Sequence, residues 1–141
     1  METEGVYEFQ SVAAAREAYT AAGPVAQVVV KETAKSMAFD SQEYAERVTG
    51  EVIETARDAL FASLLTTIHG SRETFEEWCD DHPDYEVDLI GGANVASVVW
   101  HPVWFADTVV AASYQNEPDA AAATVRRRAF GREYRQQLES V

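Results

Sequence analysis

The fold is decided by residues 85–115, which read YEVDLIGGANVASVVWHPVWFADTVVAASYQ. The stretch opens with a regular alternation, in which acidic side chains separate Tyr85, Val87 and Leu89. A period of two residues is typical of a strand that has one face buried and the other in solvent. Residues Gly91–Asn94 follow, and their two glycines favour a tight turn. The first part of the stretch therefore predicts a strand that leads into a hairpin connection.

The rest of the stretch predicts two more strands. Residues 95–100 are apolar and rich in valine, which favours strand structure. His101 and Pro102 interrupt this second strand, because proline cannot donate a hydrogen bond inside a central strand. Residues 106–115 are again mostly apolar and predict a third strand. We expect the three strands to pair as a small antiparallel sheet.

Helix signals flank this stretch on both sides. Ser11, Asp40 and Ser71 are suited to cap helices at their N-termini, and Gly23-Pro24 is suited to separate two helices. The predicted helices span residues 11–22, 24–39, 40–48, 51–69, 72–81 and 119–139. Together the elements predict a single α+β domain over residues 1–141. Its N-terminal half is helical, its sheet has three antiparallel strands, and its C-terminal helix packs on the sheet.

The chain has a large excess of acidic residues and very few lysines. The sequence has 24 Asp and Glu residues against 11 Lys and Arg residues, which gives a formal net charge of −13. Lys31 and Lys35 are the only lysines. Dense carboxylates with few lysines are typical of a surface in high salt, where counterions screen the mutual repulsion. The composition therefore predicts a halophilic, acidic protein.

The same composition restricts location and partners. Residues Met1–Glu4 are acidic, whereas a signal peptide begins with positive charge and continues with an apolar stretch. The longest apolar run is far shorter than the ~18 residues that cross a bilayer, so we expect no membrane association. Net negative charge disfavours nucleic acid, because attraction to phosphate supplies most of its non-specific affinity. We expect a cytoplasmic protein with a protein partner or a homo-oligomeric state.

The densest aromatic cluster lies between the second and third predicted strands and consists of Trp100, His101, Trp104 and Phe105. One interpretation is an interface or the wall of a small-molecule pocket, since tryptophan is enriched at binding hot spots. The other interpretation is core packing around the loop that contains Pro102. Exposure of both tryptophans would favour an interface, and burial would favour the core.

Charge reverses near the C-terminus. At 100° per residue, Arg128, Arg132 and Arg135 share one face of the last helix. The opposite, apolar face is formed by Phe130, Tyr134, Leu138 and Val141. The arginines are interpreted either as a strip that docks an anionic partner or as groups that complement the helix dipole and pair with the acidic body.

The sequence indicates neither a metal site nor a catalytic site. Cys79 and His82 are three residues apart, but a zinc site needs a second such pair, and the other two histidines are isolated. General acid–base catalysis needs two carboxylates in contrasting environments, and here the acids are scattered over polar helix faces. Gly91-Gly92 matches neither a phosphate-binding loop nor a dinucleotide fingerprint. We therefore predict no cofactor, no metal and no catalytic residue.

Several segments resemble an uncharacterised haloarchaeal family of small acidic proteins, known as a domain of unknown function. The residues that carry the resemblance are 11–19 (SVAAAREAY), 47–50 (RVTG), 54–65 (ETARDALFASLL), 76–79 (EEWC) and 127–135 (RRAFGREYR). These segments span most of the chain, so the resemblance implies a match over its whole length. It implies a haloarchaeal, cytoplasmic protein and brings no catalytic motif.

Two functional hypotheses follow. The first is a non-enzymatic interaction module. Its contact surfaces are the residues Trp100, His101, Trp104 and Phe105 and the arginine strip of Arg128, Arg132 and Arg135. The second is a small-molecule-binding protein or minor enzyme with a pocket near His101. The sequence leaves both open.

Overall fold

The computed structural model describes residues 1–139 and contains five strands and six helices. The strands are β1 (Glu2–Glu4), β2 (Thr67–Ser71), β3 (Glu86–Ile90), β4 (Ser97–Val103) and β5 (Thr108–Tyr114). The helices are α1 (Val12–Ser36), α2 (Ser41–Arg47), α3 (Gly50–Ser63), α4 (Arg72–Asp81), α5 (Pro118–Ala129) and α6 (Arg135–Glu139). A 3₁₀ turn (Trp104–Ala106) precedes β5, and a π-helical turn (Phe130–Tyr134) joins α5 to α6. The α+β class is confirmed, whereas Val141 lies outside the described residues.

Helices α1 to α4 begin where a short polar side chain can replace a missing backbone partner. The side chains of Ser11, Asp40 and Ser71 each accept a hydrogen bond from the backbone N–H three residues later, at 3.2, 2.8 and 3.1 Å. Thr49 does the same at the start of α3, at 3.3 Å. A cap of this kind typically stabilises a helix by about 1 kcal/mol. All three predicted caps are confirmed.

The predicted helix boundary at Gly23-Pro24 is wrong. Gly23-Pro24 does not separate two helices but lies inside α1, which runs for 25 residues. An internal proline removes a backbone donor and disfavours a helix by about 3 kcal/mol. Packing offsets this cost, because Ala22 and Ala26 on either side of Pro24 are buried and α1 packs on α3.

The predicted helix 51–69 is wrong at its C-terminal end. Helix α3 ends at Ser63, and the chain then extends into β2. Two consecutive β-branched residues, Thr66 and Thr67, favour the extended backbone. The Thr66 N–H donates to the Tyr7 carbonyl at 2.9 Å, so the extended segment pairs with the N-terminus of the chain instead of continuing the helix.

The sheet is larger than predicted and is mixed. Its five strands lie in the order β1-β2-β4-β5-β3, and β3 runs parallel to β5 while the other neighbouring pairs are antiparallel. The prediction of three antiparallel strands is therefore wrong. The predicted pairing of the second and third strands is confirmed, since β4 and β5 are antiparallel with Trp100 opposite Ala111.

Residues Gly91–Asn94 do not form the predicted hairpin, because β5 lies between β3 and β4. The chain instead crosses over the end of β5. Gly91 has a φ of +99°, and a Cβ atom there would lie 2.3 Å from the Ser113 Oγ atom. Glycine is required at this position by both the backbone conformation and the close approach to β5.

Pro102 does not interrupt the second predicted strand, because β4 continues to Val103. Strand β2 pairs with β4 only over Ser97–Trp100. Pro102 therefore lies where β4 has a strand neighbour on one side only, which is a position that tolerates proline. The alternation of side chains along β4 continues through His101 as a result.

Helices cover the sheet on both faces. On one face, α1, α3, α5 and α6 enclose the larger cluster, to which Val99 and Val110 of the sheet contribute. On the other face, α4 places Phe75 against Val98 and Trp100. The predicted packing of the C-terminal helix on the sheet is confirmed for α5, which contacts β4 and β5. Among residues 1–139, no helix is both long and apolar enough to cross a membrane.

Phe61 is the centre of the larger cluster. It is fully buried, and five other aromatic rings surround it with centroid separations of 5.3–5.8 Å. These rings belong to Tyr7, Phe9, Tyr19, Phe130 and Tyr134. The N-terminal segment, α1, α3 and the π-helical turn therefore meet on one side chain.

We expect Phe61→Ala to lower the free energy of unfolding by about 3–5 kcal/mol, because it removes a buried ring and leaves a cavity. Urea denaturation measures this change. Val52→Ala on the same helix is the control, since Val52 is 42% exposed and its loss should change stability by about 0.5 kcal/mol or less. A loss below about 1 kcal/mol for Phe61→Ala would contradict the central position of this ring.

Candidate functional site

The four residues of the predicted aromatic interface are divided between the two faces of the sheet. Trp100 is fully buried beneath α4, with its ring centroid 5.2 Å from that of Phe75. His101 is fully buried on the opposite face. Trp104 and Phe105, in the 3₁₀ turn, are partly exposed, and Phe105 packs on Tyr134 at 5.3 Å. The four side chains therefore do not form one surface.

His101 belongs to a buried polar network that holds the connection between α3 and β2. Its Nδ1–H donates to the Thr66 carbonyl at 2.6 Å, and its Nε2 accepts from the Tyr134 hydroxyl at 2.7 Å. Because a carbonyl can only accept, Nδ1 carries a proton, and desolvation, which lowers the pKa of His101 to about 4, keeps the ring neutral at neutral pH so that Nε2 accepts. Arg126 Nε donates to the neighbouring Leu65 carbonyl at 2.8 Å. Both ring nitrogens are thus occupied, and a ligand at His101 would have to displace Thr66 or Tyr134.

A different set of aromatic side chains gathers around Trp104. We name Trp78, His82, Tyr85 and Trp104 the aromatic cluster. All six pairs of its rings have centroids within 6.1 Å of each other. The imidazole of His82 is stacked on Trp78 at 3.9 Å with an interplanar angle of 16°. All four side chains are partly exposed, so the cluster reaches the surface.

Three local structures bring the aromatic cluster together. Trp78 and His82 are four residues apart at the end of α4, and the His82 Nδ1 atom is 2.7 Å from the Trp78 carbonyl oxygen. The Tyr85 N–H donates to the His82 carbonyl at 3.1 Å, which turns the chain back toward the sheet. The turn at Trp104 follows β4 directly, and the left-handed Asp107 returns the chain into β5. Each ring is therefore positioned by a hydrogen-bonded element.

Exposed carboxylates lie beside the aromatic cluster. Trp104 Nε1–H donates to Glu8 Oε1 at 2.8 Å. Asp81 and Asp84 flank His82 in sequence, and Asp107 acts electrostatically on Tyr85. Burial raises the pKa of Tyr85, and the negative charge of Asp107 raises it further. Within residues 1–139, none of the described ion pairs involves Glu8, Asp81, Asp84 or Asp107.

Cys79 lies beside the aromatic cluster but is not an activated thiol. Burial raises the pKa of Cys79, and the nearby charges of Asp80 and Glu76 raise it further. A raised pKa keeps the thiol protonated at neutral pH, and the thiolate is the nucleophilic form. In the part of the chain that the structure describes, no three His, Cys, Asp or Glu side chains are placed to hold a metal ion.

The arginine strip is engaged with the chain's own side chains. Asp88 accepts hydrogen bonds from Arg128 Nε at 2.7 Å and from Arg132 Nη1 at 2.8 Å. The hydrogen bond from Arg128 lowers the pKa of Asp88, so the carboxylate stays charged. The guanidinium of Arg135 lies 5.2 Å from the centre of the Phe130 ring. This geometry supports the interpretation that the arginines pair with the acidic body.

An open groove of about 550 Å³ lies at the carboxyl ends of β3 and β5. It is lined by residues Ile90, Gly91, Gly92, Val95, 112–117, Ala120, Ala121 and Thr124, and His101 does not contribute to it. Tyr114 and Glu117 are the titratable side chains in this lining. The groove has room for a small molecule.

Comparison with known families matches residues 6–135 to a family of unknown function, DUF5809. The chain belongs to the DUF5809 family. The matched region begins before α1 and ends at the start of α6, so it contains all of the aromatic cluster. No curated protein and no solved structure matches the chain.

Sequence reasoning on the DUF5809 chain found Trp104 but missed the other three members of the aromatic cluster. Trp78 belongs to a predicted helix, and His82 is interpreted either as a zinc ligand beside Cys79 or as a histidine at the end of that helix. The available signal was the spacing of Trp78 and His82, because residues four apart on a helix lie on one face. The sequence does not place Tyr85 beside Trp78 and His82, because its alternating pattern predicts that Tyr85 lies in a strand.

The buried His101 makes the DUF5809 chain sensitive to mild acid. Desolvation lowers the pKa of His101 from 6.5 to about 4 in the folded state. The unfolded state therefore binds more protons between these values, and the free energy of unfolding falls as the pH falls from about 6.5 to about 4. The shift corresponds to a loss of about 3 kcal/mol.

Urea denaturation as a function of pH measures this loss, with His101→Gln as the comparison. As the pH falls from about 6.5 to about 4, the native chain loses this stability, whereas His101→Gln does not, because glutamine does not titrate. We therefore expect the difference between their free energies of unfolding to become smaller as the pH falls. Parallel stability profiles for the two proteins would contradict the neutral, buried state of His101.

Proposed function

We propose that this protein is a non-enzymatic interaction module that binds a basic segment of a partner protein through the aromatic cluster. The observation that carries the proposal is the convergence of four partly exposed aromatic rings beside the carboxylates of Glu8 and Asp107. Tryptophan and tyrosine are the residues most often found at the energetic centre of protein interfaces. The cluster supplies such a centre on a surface that is otherwise strongly acidic.

The chemistry of the cluster favours arginine as the group that binds. A guanidinium stacks on aromatic faces and is attracted by their negative π surface. The carboxylates of Glu8, Asp81, Asp84 and Asp107 would pair with the same cation or with its neighbours. Phosphate groups would be repelled by these carboxylates, which argues against nucleic acid as the partner.

The acidic, lysine-poor composition supports a halophilic cytoplasm as the place of this interaction. At molar salt the Debye length is about 3 Å, so exposed ion pairs contribute little. Stacking of a guanidinium on a ring depends on direct contact and removes water from both surfaces. An aromatic site is therefore a suitable way for an acidic protein to bind a cationic partner in such a solvent.

A labelled arginine-containing Gly/Ser peptide tests the proposal by fluorescence anisotropy in molar KCl. We expect the arginine peptide to bind about fivefold more tightly than the matched lysine peptide, which corresponds to about 1 kcal/mol of stacking. Trp104→Leu and Tyr85→Leu should each remove this preference, because leucine is apolar but has no π face. Tyr44→Leu is the control, since Tyr44 is an exposed ring on α2, outside the cluster.

Two outcomes would overturn the proposal. One is that neither peptide binds at any salt concentration. The other is that both peptides bind equally and the affinity follows salt alone, since this is non-specific attraction to the acidic surface. Circular dichroism of each variant establishes that a loss of binding is not a loss of fold.

A further inference from the structure

A cavity of about 310 Å³ lies between α1 and α3. Residues of α1 line one side of it and residues of α3 line the other, namely Gly23, Gln27, Gly50, Ile53, Glu54 and Arg57. No member of the aromatic cluster or of the arginine strip belongs to this lining. A cavity of this volume has room for a small molecule.

Two glycines keep the cavity open, and the packing of the chain requires neither of them. Glycine inside a helix is unfavourable relative to alanine. Neither Gly23 nor Gly50 has a positive φ. Among the described residues outside the adjoining backbone, a Cβ atom at Gly23 would meet only the Arg57 Cδ atom, at 3.8 Å, and one at Gly50 would meet nothing within 4 Å. Glycine at such positions lets a ligand approach the backbone closely.

Arg57 is held in a fixed position at this cavity. Its guanidinium lies 4.1 Å from the centre of the Tyr19 ring, and the Tyr19 hydroxyl donates to Asp58 Oδ1 at 2.5 Å. The Arg57 Nε atom is buried and has no hydrogen-bond partner among residues 1–139. The Nη atoms are therefore the donors that a ligand in the cavity can reach. A guanidinium whose face is stacked on a ring still presents its edge to a carboxylate.

Glu54 lines the same cavity one helical turn before Arg57. Side chains three residues apart on a helix can pair. Of the ion pairs described for residues 1–139, however, none joins Glu54 to Arg57. The cavity therefore presents one cation and one anion that are not paired with each other. Glu54 repels a simple anion and Arg57 repels a simple cation, whereas a ligand that carries both charges close together complements both side chains.

We propose that this cavity binds a free amino acid, whose carboxylate pairs with Arg57 and whose ammonium group pairs with Glu54. The carboxamide of Gln27 and the apolar side chain of Ile53 are available to the rest of the ligand. Because Arg57 is partly buried, salt screens its ion pair less than it screens a fully exposed pair. This binding does not involve the aromatic cluster, so it adds a small-molecule ligand to the interaction module.

Thermal unfolding of the full chain in molar KCl, with each of the twenty standard amino acids in turn, tests the proposal. A ligand that binds only the folded state raises the Tm. We expect at least one amino acid to raise the Tm by about 3 °C or more. In calorimetric titration, the N-acetyl and amide derivatives of that amino acid should bind at least about tenfold more weakly, because each derivative lacks one of the two charges.

Gly50→Leu should weaken binding of the same amino acid at least about tenfold, because it adds a side chain to the lining of the cavity. Gly131→Leu is the matched control. A Cβ atom at Gly131 also meets no atom within 4 Å among the described residues, and Gly131 lies in the π-helical turn, outside the cavity. The two variants should have similar Tm values without ligand, so a loss of binding is not a loss of fold.

Glu54→Gln tests the assignment of the ammonium group. We expect it to remove most of the preference for the amino acid over its N-acetyl derivative. Glu51→Gln should leave this preference unchanged, since Glu51 is an exposed acid on the same helix that does not line the cavity.

The proposal is wrong if none of the amino acids changes the Tm. It is also wrong if the amide binds as tightly as the amino acid, because this is attraction of a cation to the acidic surface. Equal binding of the N-acetyl derivative would exclude a role for Glu54. Equal effects of Gly50→Leu and Gly131→Leu would place the binding outside the cavity.

Discussion

The structure depends on the pairing of β4 with β5, two strands that are buried on both faces. Alternation along β4 sends Trp100 under α4 and His101 toward Tyr134, so each helical layer is tied to the sheet by a large side chain. The chain leaves β4 at Trp104, which therefore emerges at the end of the sheet beside α4. The position of the aromatic cluster is thus a direct consequence of where β4 ends.

Much of the fold could be predicted from the sequence, because its signals are local. The caps at Ser11, Asp40 and Ser71 and the pairing of β4 with β5 depend on residues that are close along the chain. The remaining features depend on distant contacts. β1 has the sequence Glu-Thr-Glu, which carries no apolar signal, and it exists because β2 offers it an edge. The parallel pairing of β3 with β5 likewise follows from packing.

The candidate site was harder to predict than the fold. The dense run from Trp100 to Phe105 suggested one aromatic surface, but a strand places consecutive side chains on opposite faces. The prediction that the strand is interrupted at Pro102 hides the alternation of Trp100 and His101 between the two faces. The observed cluster combines Trp104 with rings about 20 residues away, and no pattern within the sequence records that proximity.

The three tryptophans give the most direct test of this account, because each indole N–H has its own resonance in a ¹H–¹⁵N spectrum. The Trp100 indole N–H is buried and has no hydrogen-bond partner among residues 1–139, whereas that of Trp104 donates to Glu8 at the surface. Titration of the full chain with the arginine peptide should shift the Trp78 and Trp104 signals and leave Trp100 unchanged. A shift of all three signals, or of Trp100 alone, would contradict both the alternation along β4 and the assignment of the aromatic cluster as the contact surface.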